Sequence, residues 1–113
     1  MPEDKSDHLR SDPALAEITR RLVKAYQPDR IYLFGSKARG EEGPDSDYDL
    51  MVVVADGAPP ERRRSRLAYE VLRGTGTAAD VIVTTKSWFE ARLHLKASFP
   101  STVVREGKVL HGA

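Results

Sequence analysis

The chain has 113 residues, 40% of them apolar and 31% charged, with a formal net charge of +1 and no cysteine. That length supports one hydrophobic core rather than two, and the balance is that of a folded globule rather than a disordered or collagenous chain. Disulfides and thiolate metal centres are excluded, so any metal would be held by oxygen or imidazole ligands.

In chain order, "MPEDKSDHLRS" (1–11) reads as a polar N-terminal arm. It carries acids where a secretory signal would be basic and then apolar, and no run approaches the ~18 apolar residues of a membrane span. No membrane partner and a cytoplasmic location are therefore expected, with a single domain over 12–113. Asp12-Pro13 is an N-cap followed by proline at the first helical position, and Leu15, Ile18, Leu22, Val23 and Tyr26 recur at helical spacing up to Pro28. "RIYLFG" (30–35) and "DYDLMVVV" (47–54) read as strands. Pro59-Pro60 and Gly74 frame a helix over 60–73 with a buried stripe of Leu67, Ala68, Val71 and Leu72. A strand at 80–85 follows. Ser87 with Glu90 matches a capping box for a helix over 88–96, and a short helix after Pro100 and a "GKVL" strand complete the chain.

The connections imply topology. A helix between the second and third strands is long enough for a right-handed crossover, so those two strands are parallel. The loop between the first and second strands holds at most one helical turn, so they pair antiparallel. The expected fold is an α/β domain with a small mixed sheet flanked by helices. Its sheet would bring Gly35, Ser36, Asp47, Asp49 and Asp80 to one edge.

Asp47 and Asp49, at i and i+2, send both carboxylates to one face about 7 Å apart. Aspartate is depleted from strands, so the pair needs a cation or a purpose. Carboxylates suit magnesium, which keeps water and substrate phosphates in its remaining positions. With Asp80 as a third oxygen ligand, a two-ion site for phosphoryl transfer becomes possible. The plainer alternative is that these are turn and strand-entry residues facing water. Gly35 lets a phosphate approach the backbone closely, Ser36 can cap the following turn or donate to a phosphate oxygen, and Lys37 and Arg39 add positive charge.

Two rival motifs fail. Gly35 and Gly40 have P-loop spacing, but Glu41 and Glu42 stand where Lys and Ser or Thr are required. "DSDYDL" (45–50) opens like a calcium loop, yet Leu50 replaces its turn glycine.

Gly35-Ser36, ten intervening residues, Asp47-x-Asp49 and a later strand Asp80 together resemble the minimal nucleotidyltransferases of the DNA polymerase β superfamily. The resemblance runs from the first helix to "EGKVL" (106–110). It implies that Gly35 and Ser36 hold the nucleotide triphosphate; Lys37 and Arg39 are further candidate nucleotide contacts, with a plain surface charge as the alternative for Arg39. The resemblance further implies that Asp47 and Asp49 bind magnesium, and that Asp80 is the third metal ligand, helping to activate the attacking hydroxyl. Small members with this spacing often act as antitoxins beside a HEPN-domain partner, transferring AMP from ATP to a tyrosine of that toxin. Larger relatives add a helical domain for the acceptor; none is read here, so the acceptor is expected to be gripped by another subunit or to be the partner itself. Lys37 stands where many relatives have arginine, keeping charge but losing bidentate geometry. Two alternatives stay open: a non-catalytic module neutralising its partner by occlusion, and an enzyme whose acceptor is RNA or a small molecule.

"ERRRSR" (61–66) is the most basic stretch. Arg62, Arg66 and Arg73 are expected on one solvated helical face, or against an acidic protein surface; no groove-reading motif accompanies them, so nucleic acid is not the expected partner. His8, His94 and His111 lack metal spacing. Trp88, Phe89 and Phe99 are expected in the core or a helix contact, with a homo-oligomer interface as the alternative.

Overall fold

Asp12 starts the first helix, α1 (Pro13–Tyr26): its Oδ1 accepts from the Leu15 N–H at 3.1 Å, and Gln27 ends the helix in the left-handed region. The structure is a computed structural model and describes residues 12–39 and 47–112, without the side chains of Ser36 and Arg39; the expected arm and the 40–46 loop lie outside the described residues. After α1 come β1 (Arg30–Phe34), α2 (Gly35–Arg39), β2 (Tyr48–Val54), a 3₁₀ turn (Pro60–Arg63), α3 (Ser65–Val71), β3 (Ala79–Thr85), α4 (Lys86–Ala91), α5 (Phe99–Glu106) and β4 (Lys108–His111). The four strands lie in the order β3-β2-β1-β4, with β1 antiparallel to β2 and β4, and β2 parallel to β3. This is the expected mixed sheet.

The unbroken apolar run of β2 places it between two cores, because alternate side chains leave opposite faces. Leu50, Val52 and Val54 pack with Leu15, Ile18 and Leu22 of α1 and Ala68 of α3. Met51 and Val53 face the other way, onto Tyr32, Phe89 and Val103. Tyr32 and Phe89 stack with ring centroids 5.5 Å apart.

Two expected helices differ from what is observed. The stretch 60–73 is broken at Arg64, which is extended (φ −118°, ψ 141°), so the arginines of 61–66 do not share one continuous helix. The physical reason is the Tyr26 hydroxyl. It donates to the Arg64 carbonyl at 2.5 Å and accepts from the Ala68 N–H at 2.9 Å, standing between the two groups that would bond directly in an unbroken helix. Burial pushes the Tyr26 phenol up from its ordinary pKa. Arg64 offers no side-chain cap, so the tyrosine supplies from another helix what the local sequence lacks. Tyr26→Phe should therefore lower the unfolding free energy by about 1–3 kcal/mol, since it orphans the buried Ala68 amide; urea denaturation measures it, and an unchanged midpoint would refute the bridge.

The second difference is α4, which spans Lys86–Ala91 rather than 88–96. Its cap is Thr85, whose hydroxyl accepts from the Trp88 N–H at 3.4 Å. Ser87 instead turns to Asp56: its N–H donates to Oδ1 at 2.9 Å and its hydroxyl to Oδ2. Those bonds, the hydroxyl's first, hold the Asp56 carboxyl below its ordinary pKa. The final helix begins at Phe99 under a Ser98 cap, with Pro100 in its first turn.

Candidate active site

The register decides which residues meet. In the antiparallel pair Phe34 stands opposite Asp49, and in the parallel pair Asp49 stands opposite Asp80. The end of β1 and the starts of β2 and β3 therefore share one end of the sheet, with Gly35 following directly on Phe34. Gly35 has φ +75°, and a Cβ there would run into the Asp49 carboxylate, whose Cγ would be 3.1 Å away. Two reasons thus require glycine at this position: its backbone conformation and the carboxylate packed against it.

Asp49 is half-buried, while Asp47, immediately before β2, and Asp80 are exposed. Asp49 shares its sheet face with Met51 and Val53, and Asp80 shares that face through its register with Asp49. Like charges directly opposite each other on neighbouring strands cost stability. The backbone brings the three aspartates to one sheet end, but among the described residues no three acidic or imidazole side chains are grouped closely enough to hold a metal ion. The donor set still fits a hard cation: all oxygen, two of three side chains in water and able to turn toward an ion.

Lys37 does not point to this group. Its ammonium sits 4.4 Å from the centroid of the Tyr48 ring, whose place in β2 faces the opposite core. Ser36 and Arg39 lie in α2; their side chains are outside the described residues. Tyr48 was not legible as a site residue. Its hydroxyl donates to Asp12 Oδ2 at 2.6 Å, so the carboxylate that caps α1 also ties that helix to the strand carrying the aspartates. Only its place between Asp47 and Asp49 could have signalled this.

A hollow of about 340 Å³ borders Asp47, walled by Tyr69, Leu72 and Arg73 of α3 and the turn beyond it, together with Thr77 before β3. Tyr69 is exposed there. On the sheet face of Asp49 and Asp80, a second hollow of about 400 Å³ runs along β3.

The chain is similar to known proteins in sequence and in fold. Residues 14–110 match the family described as Nucleotidyltransferase domain. A protein of Methanocaldococcus jannaschii named as a protein adenylyltransferase is 29% identical over 105 residues, covering 91% of this chain and all of that one. Among solved structures, a toxin–antitoxin with AMP-PNP superposes with a TM-score of 0.57 at 27% identity, over 86% of this chain and 73% of that one. A nucleotidyltransferase from Sulfolobus solfataricus gives a TM-score of 0.57 at 18% identity, over 96% and 87% of the two chains, and so shares the fold. This chain belongs to the nucleotidyltransferase domain family, and nucleotidyl transfer is its class of reaction.

Proposed function

We propose that this chain transfers AMP from ATP to a hydroxyl of a partner protein, a tyrosine of a HEPN-type toxin, and acts in the cytoplasm as an antitoxin through that modification. The observation that carries the reading is the packing of Gly35 against Asp49 with Asp80 directly across the strand pair. The M. jannaschii relative named as a protein adenylyltransferase and the toxin–antitoxin solved with AMP-PNP support the donor and the kind of acceptor.

Asp47, Asp49 and Asp80 are the proposed ligands of a pair of magnesium ions, which when bound neutralise the triphosphate and the charge that develops during transfer. Gly35 lets the Asp49 carboxylate pack directly against its backbone, which brings that proposed ligand beside the turn where the triphosphate is proposed to bind. Ser36 and Arg39 are its proposed contacts, and Lys37 adds positive charge from its place over Tyr48. The acceptor oxygen attacks the α-phosphorus, the bond from that phosphorus to the bridging oxygen breaks, and pyrophosphate leaves. Asp80 receives the hydroxyl proton. Holding the reactants in line supplies most of the acceleration, because phosphoryl transfer asks little covalent chemistry of the protein.

Incubation with ATP labelled at the α-phosphate, magnesium and the HEPN partner should place label on the partner's tyrosine, as mass spectrometry of each component will show. Label on RNA, on a small molecule or nowhere would overturn the reading, and EDTA should abolish the signal.

A further inference from the structure

The hollow along β3 has a lining whose chemistry differs from that of the aspartate end. Asp80, Ile82 and Thr84 alternate onto the same face of β3, so Ile82 lies about 7 Å along the strand from Asp80. Met51 forms part of the floor, and Trp88 and Phe99 wall the hollow. Ile82, Trp88 and Phe99 are 42%, 41% and 40% exposed, an unusual concentration of large apolar side chains in water for so small a domain. Phe99 meets the ring of Phe34 edge-on at 5.2 Å, and Phe34 stands opposite Asp49, so the apolar wall is continuous with the aspartates.

Trp88 is held in place rather than loosely displayed. The Arg92 guanidinium covers its ring at 4.2 Å and donates to its carbonyl at 3.0 Å. Its own amide is capped by Thr85, and the neighbouring Ser87 is tied to Asp56. A rigid aromatic wall loses little entropy when a partner docks, which is the property of an anchor pocket.

In-line displacement decides which reactant takes this groove. The attacking oxygen and the departing pyrophosphate lie on opposite sides of the α-phosphorus. On the reading above, the phosphates lie at Gly35, on the β1 side of Asp49; the acceptor must then arrive from the β3 side, where the groove begins. The lining selects a class of acceptor. A sugar or an RNA end would need several polar or cationic groups, whereas here Met51, Ile82, Val83, Trp88 and Phe99 outnumber the polar lining residues Arg63, Thr84 and Thr85. We infer that the groove of Met51, Ile82, Trp88 and Phe99 binds the acceptor polypeptide, taking an apolar or aromatic side chain beside the hydroxyl that is modified. The inference rests on the transfer reading above and adds the residues that select its acceptor.

The test measures label transfer from α-labelled ATP to the HEPN partner, varying each substrate in turn, for the wild type, Trp88→Ala, Ile82→Thr and the surface control Leu95→Ser. The groove variants should raise KM for the partner roughly 10- to 30-fold, the scale of a lost anchor residue, while leaving KM for ATP unchanged. Leu95→Ser, exposed outside the groove, should match the wild type. Ile82→Thr keeps a β-branched side chain on β3 and guards against misfolding, checked by circular dichroism. Wild-type transfer with an unchanged partner KM in folded groove variants would overturn the groove alone. A raised KM for ATP would reassign it to the nucleotide. No transfer by the wild type would remove the parent reading and this one together.

Discussion

Asp47→Asn and Asp49→Asn should each lower AMP transfer by roughly a thousandfold or more, because each removes a carboxylate from the proposed ion site at the point where charge develops. The substitutions are nearly isosteric. Asp47 is exposed and Asp49 half-buried, and losing one of the like charges facing each other across β2 and β3 offsets part of what Asp49 contributes. Thermal unfolding should therefore stay within about 1 kcal/mol of the wild type. Steady-state label transfer and a melting curve check the two halves together. Transfer at the wild-type rate would end the proposal that these residues carry the chemistry. The same variants separate catalysis from occlusion: a partner still neutralised by Asp47→Asn is being blocked, not modified.

Gly35→Ala should have the second largest effect, and for a different cause. Alanine at φ +75° carries a left-handed penalty of about 1 kcal/mol. Its Cβ would also displace the Asp49 side chain, with Cβ and Cγ of that residue at 3.3 and 3.1 Å from the added methyl. The expected result is a loss of about 1–3 kcal/mol in stability and a fall in transfer of about a hundredfold or more, the scale of a misplaced catalytic group. Because the displaced group is a proposed magnesium ligand, the magnesium concentration needed for half-maximal rate should rise as well. A variant that melts lower but keeps its rate and its magnesium requirement would assign Gly35 to the fold alone.

The aspartate pair and the glycine belong to different layers of the molecule. The first follows from residue type and spacing, since Asp47-x-Asp49 after Gly35-Ser36 was visible in the chain. The second needs the register of β1 on β2, which brings Phe34 opposite Asp49 and so turns the glycine against the carboxylate. The aromatic residues show the same division. Trp88, Phe89 and Phe99 were expected together in a core or a contact, but Phe89 alone is fully buried, while Trp88 and Phe99 stand half in water around the β3 groove. Composition could not distinguish them, because neighbours on a short helix point to different sides only once its rotation against the sheet is set.

By itself the chain determined the order of its elements, the mixed sheet and the end of that sheet where the aspartates collect. Those features follow from local signals, namely apolar period, caps and connection length, which act over a few residues. Tertiary structure decided the break at Arg64, the partner of Ser87, the place of Lys37 over Tyr48 and the groove beside Asp80. Each depends on a group from a distant segment: the Tyr26 hydroxyl, the Asp56 carboxylate, the Tyr48 ring and the α5 aromatic Phe99. Hydrogen bonds and ring contacts between residues of different elements leave no periodic trace along the chain, so they become visible only where the folded backbone brings the partners together.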